Sequence, residues 1–400
     1  MTTAAVPGSP TPPGTPAPSG SAASPGNLAL PRAAEPERGR PSLRHLGPNW
    51  YAAVMGTAVV ATGGATLPAG RSWLPGAGVA VWALSVLMLV VLTAARAGHW
   101  AVHHDRAREQ LLDPAVAPFY GCVPMALLAV GAATAAVGGR VVGAHAAVVA
   151  DAVLWSAGTA GGLAVAVGVP YLMITRHEVT PGSAAPAWLL PIVPPMVSAA
   201  TGPALVAHLP AGQAREAMLY GCCAMFGMSL LATLTILPLV FSRLVHGGPL
   251  PLAATPTLLL VLGPLGQSVT ATGKLADAAP GVVPAAEARA MGAFAVLYGL
   301  PVTGFALLWL ALSLALVAGA ARRGMPFAMT WWAFTFPLGT CVTGTASLAA
   351  HTGLHAAGRL AEALCVLLVA AWATAAVRTG RGLLSGALLA GPRRAPRAPR

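Results

Sequence analysis

Ten apolar stretches of roughly 20 residues recur between residues 49 and 378, and each is long enough to cross the hydrocarbon core of a bilayer as a helix. They fall at 49–68, 74–95, 119–139, 148–173, 187–209, 216–241, 254–273, 290–319, 327–349 and 358–378, with turn or charge signals between them. Only 8% of the 400 residues are charged, against about 25% in a soluble domain that must cover its surface. The pattern predicts an all-α integral membrane protein of ten transmembrane helices, with no polar block large enough to fold separately.

Residues 1–46, rich in Pro, Ala, Gly and Ser and without the apolar centre of a signal peptide, read as a disordered tail. Residues 379–400 read as a second, more basic one, which leaves a single membrane domain over 47–378. The formal charge of +12 comes from 22 Arg and one Lys against 11 acids. These cations sit in tails and short connections, not along one face interleaved with aromatics, so a nucleic-acid partner is not expected. With the N-terminus inside, 17 of the 23 cations fall on the inner side, which predicts a multi-pass plasma-membrane protein with both termini cytoplasmic.

The ten stretches are not equivalent. The odd-numbered ones carry small polar residues and mostly prolines, as in GTAVVATGGA, VPMALLAVGAATA, LPIVPPMVSAATGPA, LGPLGQSVTATGKLA and FPLGTCVTGTASLA, where the even ones are plainer Ala/Leu/Val helices. The odd stretches start near 49, 119, 187, 254 and 327, a period of about 70 residues that marks repeated helical hairpins. Five hairpins suggest a pseudo-five-fold ring around a central pore, odd helices inside and even helices outside. Pro124, Pro191, Pro194, Pro195, Pro264 and Pro337 are expected to kink the odd helices and free carbonyls that protein or cavity water must satisfy. Thr62, Thr134, Thr201, Thr272 and Thr343 recur after those breaks as candidate pore-lining residues. A threonine in a membrane helix also bonds its own i−4 carbonyl, so it is the recurrence, and not any single residue, that favours a pore.

Other chemistries find little support. HExxH, GxSxG and paired intramembrane aspartates are missing, so no catalytic residue is assigned and no enzyme is expected. No acid or base falls near the middle of a predicted span, and Asp151, Glu216 and Glu362, near helix ends, read as interfacial residues. His99, His103, His104 and Asp105 cluster in one connection, but a solvated basic loop explains them, so neither a metal nor a cofactor is expected. The five cysteines lie in apolar stretches without CxxC spacing and read as small buried hydrophobes.

The stretches GPNWYAAVMGTAVVATGG, AWLLPIVPPMVSAATG, LGPLGQSV and MTWWAFTFPLGTCVTGTASLA resemble the tellurite-resistance/dicarboxylate transporter family, which includes malic-acid transporters, sulfite exporters, tellurite-resistance permeases and plant slow anion channels. The resemblance covers about residues 47–378, and its first and ninth helices are most similar to the malic-acid branch. It implies five hairpins around a pore, commonly a homotrimer with one pore per subunit, and a phenylalanine on the ninth helix that plugs the pore. The matching gate position is Phe336, directly before Pro337, with Phe334 as the alternative.

The expected function is therefore transport of small anions, C4-dicarboxylates such as malate or inorganic oxyanions, through a Phe-gated pore. A sulfite or tellurite-related efflux permease is the alternative, and an intramembrane receptor or scaffold is the non-transport reading. Lys274, the single lysine, follows the seventh-helix threonine near the predicted outer mouth, where it attracts anions or snorkels to the interface.

Overall fold

The computed structural model describes residues 43–67, 75–180, 182–386 and 388. Most of the two expected tails, and Arg71, lie outside the described residues. The described residues form helices, with one isolated bridge between Pro280 and Val283. In chain order the α-helices are α1 (Tyr51–Ala65), α2 (Pro75–Val102), α3 (His104–Leu112), α4 (Cys122–Ala133), α5 (Gly139–Val142), α6 (Ala144–Thr175) and α7 (Pro194–Thr201). They continue with α8 (Pro203–Val206), α9 (Gln213–Gly247), α10 (Leu262–Ala278), α11 (Ala285–Arg322), α12 (Phe336–Thr352) and α13 (His355–Leu384). The last helix runs past residue 378, where the basic tail was expected to begin.

Helix is found in all ten apolar stretches, but among the described residues six helical segments are by themselves long and apolar enough to cross a membrane. Five are α2, α6, α9, α11 and α13, and the sixth is the composite segment Ala117–Val142 around α4. The segments built on α1, α7, α10 and α12 are shorter or more polar. Burial separates the two kinds: 72% of the most apolar window in Ala117–Val142 is buried, against 17–28% in the other five. The long helices instead expose Leu87, Val167, Ile174, Leu231, Leu297 and Val366, an apolar exterior suited to lipid and not to water.

The prolines do something other than kink. A 3-10 stretch leads into each inner α-helix: Pro48–Trp50, Ala117–Gly121, Pro186–Leu189, Thr255–Val261 and Met329–Phe334. Pro194 opens α7, Pro337 is the second residue of α12, and Pro124 and Pro264 are the third residues of α4 and α10. First-turn amides have no intrahelical acceptor, so proline loses no hydrogen bond there and its fixed φ favours the start. Pro195 is the second residue of α7 and Pro191 lies in the turn before it, so the six expected kinks fall at or just before α-helix beginnings. The interior prolines are Pro170, Pro238 and Pro301, in α6, α9 and α11, helices that the sequence pattern marked as plain.

The helix contacts follow one rule. α1 touches α4, α4 touches α7, α7 touches α10, α10 touches α12, and α12 touches α1 again. Each long helix packs against the inner helix of its own hairpin and the next one: α2 on α1 and α4, α6 on α4 and α7, α9 on α7 and α10, α11 on α10 and α12, α13 on α12 and α1. Polar links secure these contacts. Indole N–H groups of Trp82, Trp155, Trp309 and Trp372 donate to Thr134 Oγ1, the Ser198 carbonyl, the Leu258 carbonyl and Thr57 Oγ1, at 2.9–3.1 Å. Ser229 on α9 donates to the Ile192 carbonyl at 2.7 Å.

Between inner helices, small residues allow backbone to meet backbone. A Cβ on Gly266 would lie 2.6 Å from the Cys341 amide nitrogen and from the Thr340 carbonyl carbon, so α10 and α12 cross there at glycine distance. Gly266→Ala should lower stability by about 1–3 kcal/mol, seen as a reduced thermal midpoint in detergent. Gly227→Ala and Gly304→Ala, on α9 and α11 with nothing within 4 Å of the added carbon, should be neutral or stabilising. Equal midpoints for the Gly266 and Gly227 variants would contradict the crossing.

Candidate functional site

The five inner helices share one cavity of about 510 Å³. Its wall follows a helical stripe on each: Val59, Thr62 and Thr66 from the α1 segment, Ala129, Ala132 and Ala136 from the α4 segment, and Val197, Thr201 and Ala204 from α7 and α8. α10 contributes Gln267, Thr270, Lys274 and Asp277, and α12 contributes Phe336, Thr343, Ser347 and Ala350. Steps of three and four residues keep each set on one face. Exposure rises along every stripe. Val59, Ala129, Val197, Gln267 and Phe336 are buried, whereas Thr66, Ala136, Ala204, Asp277 and Ala350 are exposed. The cavity therefore opens at the C-terminal ends of all five helices, and from Phe336 to Ala350 it is about 20 Å deep at 1.5 Å per residue.

Phe336 is the deepest lining residue of α12, 4% exposed, at the joint where the 3-10 stretch becomes α-helix. Phe334 is not in the cavity wall. It packs edge-on against Trp331 at 5.7 Å, and the Arg378 guanidinium lies 4.5 Å from the Trp331 ring centre. Two residues apart on helical backbone, the two rings point to different faces.

Of the five recurring threonines, Thr62, Thr201 and Thr343 line the cavity, and Thr134 and Thr272 do not. Thr134 is held in the helix interface, accepting from Trp82 and donating to the Val130 carbonyl at 2.7 Å. Thr272 donates to Val269 and borders a separate pocket against Cys223 and Phe294. Both fall off the three-and-four stripe of their helix. Thr270 takes the lining position instead, 2.7 Å from Thr343 Oγ1 across the α10–α12 crossing. The lining hydroxyls also bond their own helices: Thr62 to the Val59 carbonyl, Thr201 to Val197, Thr343 to Thr340 and Thr270 to Gly266. An anion must draw each proton away from a carbonyl, which keeps its binding weak.

At the mouth, Lys274 Nζ lies 3.3 Å from Asp277 Oδ2, and His351 Nε2 lies 3.4 Å from Asp277 Oδ1. Lys274 is thus a half-exposed cation with an acidic neighbour, a pairing worth little in water and leaving its long-range field reduced. Gln267, buried at 6% exposure, makes no hydrogen bond to another described residue and offers its amide donors to the deep part of the cavity.

Asp151, read from the sequence as interfacial, is 2% exposed and stands in the cavity wall. Gln267, Thr270, Ser347, Asp277 and Asp151 were not singled out as lining residues. The i, i+3, i+7 spacing of Gln267, Thr270 and Lys274 carried the signal for the first two; nothing local to α6 distinguished Asp151. The five cysteines are free, and among the described residues no three His, Cys, Asp or Glu side chains come together as metal ligands.

Residues 45–380 match the family described as voltage-dependent anion channel. The chain is 30% identical over 310 residues to the sulfite efflux pump of Trichophyton rubrum, covering 75% of this chain and 81% of the pump. It is 29% identical to the sulfite efflux pump of Arthroderma benhamiae over the same shares. An uncharacterized transporter of Methanocaldococcus jannaschii is 24% identical over 350 residues, 87% of this chain and 96% of that one. The chain belongs to the voltage-dependent anion channel family, the tellurite-resistance/dicarboxylate transporter family that its helix motifs resemble.

Proposed function

We propose that the protein moves small anions across the plasma membrane through the shared cavity, with the five inner helices forming a pseudo-five-fold ring and the five long helices enclosing it. The observation that carries this is the cavity itself, built from the same face of all five inner helices and closed at depth by an aromatic ring. The closed succession of helix contacts supports the ring. Ten crossings with both termini cytoplasmic put the open end of the cavity on the outer side, in keeping with the arginine-rich inner connections. A homotrimer with one pore per subunit is part of the same reading, testable by native mass measurement in detergent.

Among substrates, an inorganic oxyanion of the sulfite class fits better than malate. The wall holds one cation, Lys274, already facing Asp277, and hydroxyls already bonded to carbonyls. Sulfite can enter as the singly charged hydrogensulfite, whereas a dicarboxylate would carry two charges into that wall without bidentate cations to receive them. Identity to sulfite efflux pumps points the same way. Proteoliposome flux of sulfite, nitrate, chloride, malate and tellurite is the direct test. Sulfite should pass faster than malate; the reverse order would favour the dicarboxylate assignment, and no flux of any of them would favour a receptor or scaffold.

Phe336 acts as a gate in this reading, a dry constriction whose ring moves where the backbone changes from 3-10 to α. Phe336→Ala should raise basal anion conductance about tenfold, the effect of removing about 1.4 kcal/mol of barrier. Phe334→Ala should leave conductance unchanged, and a rise in that variant alone would transfer the gate to Phe334. At the mouth, Lys274→Ala should lower flux about twofold to tenfold at low ionic strength and less at high. Equal loss at both would mean that Lys274 has no steering role.

A further inference from the structure

We propose that Asp151 is a proton-binding site in the wall of the anion cavity, and that anions pass when its carboxyl is protonated. This rests on the reading of the cavity as an anion path. Asp151 lies two turns into α6, the one residue of a long outer helix that reaches the cavity lined by the inner five. It is 2% exposed, and among the described residues its Oδ1 is buried without a hydrogen-bond partner and no ion pair holds it. The helix facing it supplies Gly131, where a Cβ would lie 2.7 Å from Oδ1, so the missing side chain is what makes room for the carboxyl.

No cation compensates this group. On α6 the nearest titratable side chain is His145, exposed and six residues earlier. Of the elements packed on α6, α7 and the π-helical turn Thr134–Gly138 contribute no titratable group, and α5 contributes Arg140, which is exposed. α4 contributes Cys122, more than two turns from Gly131, and the 3-10 stretch before it contributes Tyr120. Across the cavity stand Lys274, Asp277 and His351, engaged with one another. Burial leaves this carboxyl without a donor or a cation to replace the water it has lost. The neutral acid also has a use: it presents an O–H donor to a passing anion, whereas the carboxylate repels it. The proton binds and leaves reversibly, with no other bond changed.

The test is flux of nitrate and chloride, whose own charges do not change with pH, into proteoliposomes across acid to alkaline pH. Wild-type flux should fall about tenfold or more as pH rises, the size expected for a unit charge placed beside the path. Asp151→Asn should keep the acid-side flux throughout, and His351→Gln should leave the fall intact. Asp151→Asn falling like the wild type, or His351→Gln abolishing the fall, would overturn the assignment. Gly131→Ala, which crowds Oδ1, should shift the midpoint of the fall, and an unmoved midpoint counts against it. Should Asp151→Asn fail to fold, Asp151→Ser, which also carries no charge, decides: flux that stays level across pH supports the site, and a fall like that of the wild type refutes it. A wild type that passes neither anion at any pH, nor any of the other anions, refutes the anion path instead.

Discussion

A polar group in a bilayer has no water to fall back on, and most of this architecture follows from how the chain satisfies its donors and acceptors. Most hydroxyls of the inner helices first bond a carbonyl of their own helix, as those of Thr57, Thr134 and Thr201 do. Those same oxygens can then accept, and the outer helices use them: Trp372 donates to Thr57 and Trp82 to Thr134. The inner helices can be rich in hydroxyls without loss of stability because the helix carbonyls take up their protons, and at Thr57 and Thr134 an indole N–H takes up the oxygen as well.

The same constraint shapes the cavity. Its threonine hydroxyls are bound to carbonyls, its one lysine faces an aspartate, and its deep polar group is the amide of Gln267. A wall of this kind attracts an anion weakly and does not trap it, which suits passage better than storage. Glycine does complementary work, since Gly266 brings α10 and α12 close enough for Thr270 and Thr343 to meet. Packing and path are therefore set by the same crossings, and a change that separates the helices alters both.

Helix, hydropathy and period were legible along the chain because they are local or repeat in sequence. The five odd stretches and their threonines led to the inner helices, and GTCVTGTASLA led to Thr343. Direction was harder to read. In sequence Pro124, Pro194, Pro264 and Pro337 read as mid-helix breaks, since a sequence does not mark where 3-10 backbone gives way to α. Thr134 and Thr272 were placed in the path by recurrence, although their register puts them on other faces.

By itself the sequence determined that this protein lives in lipid, that it repeats in helical pairs, and which helix of each pair carries the polar residues, because all three depend on composition and period. Tertiary structure alone decided which of those polar residues share a cavity, since that depends on the rotation of each helix about its axis. It also decided that Asp151, two turns into a long outer helix, is buried in the cavity wall, since only the approach of Gly131 from another helix creates the space it fills.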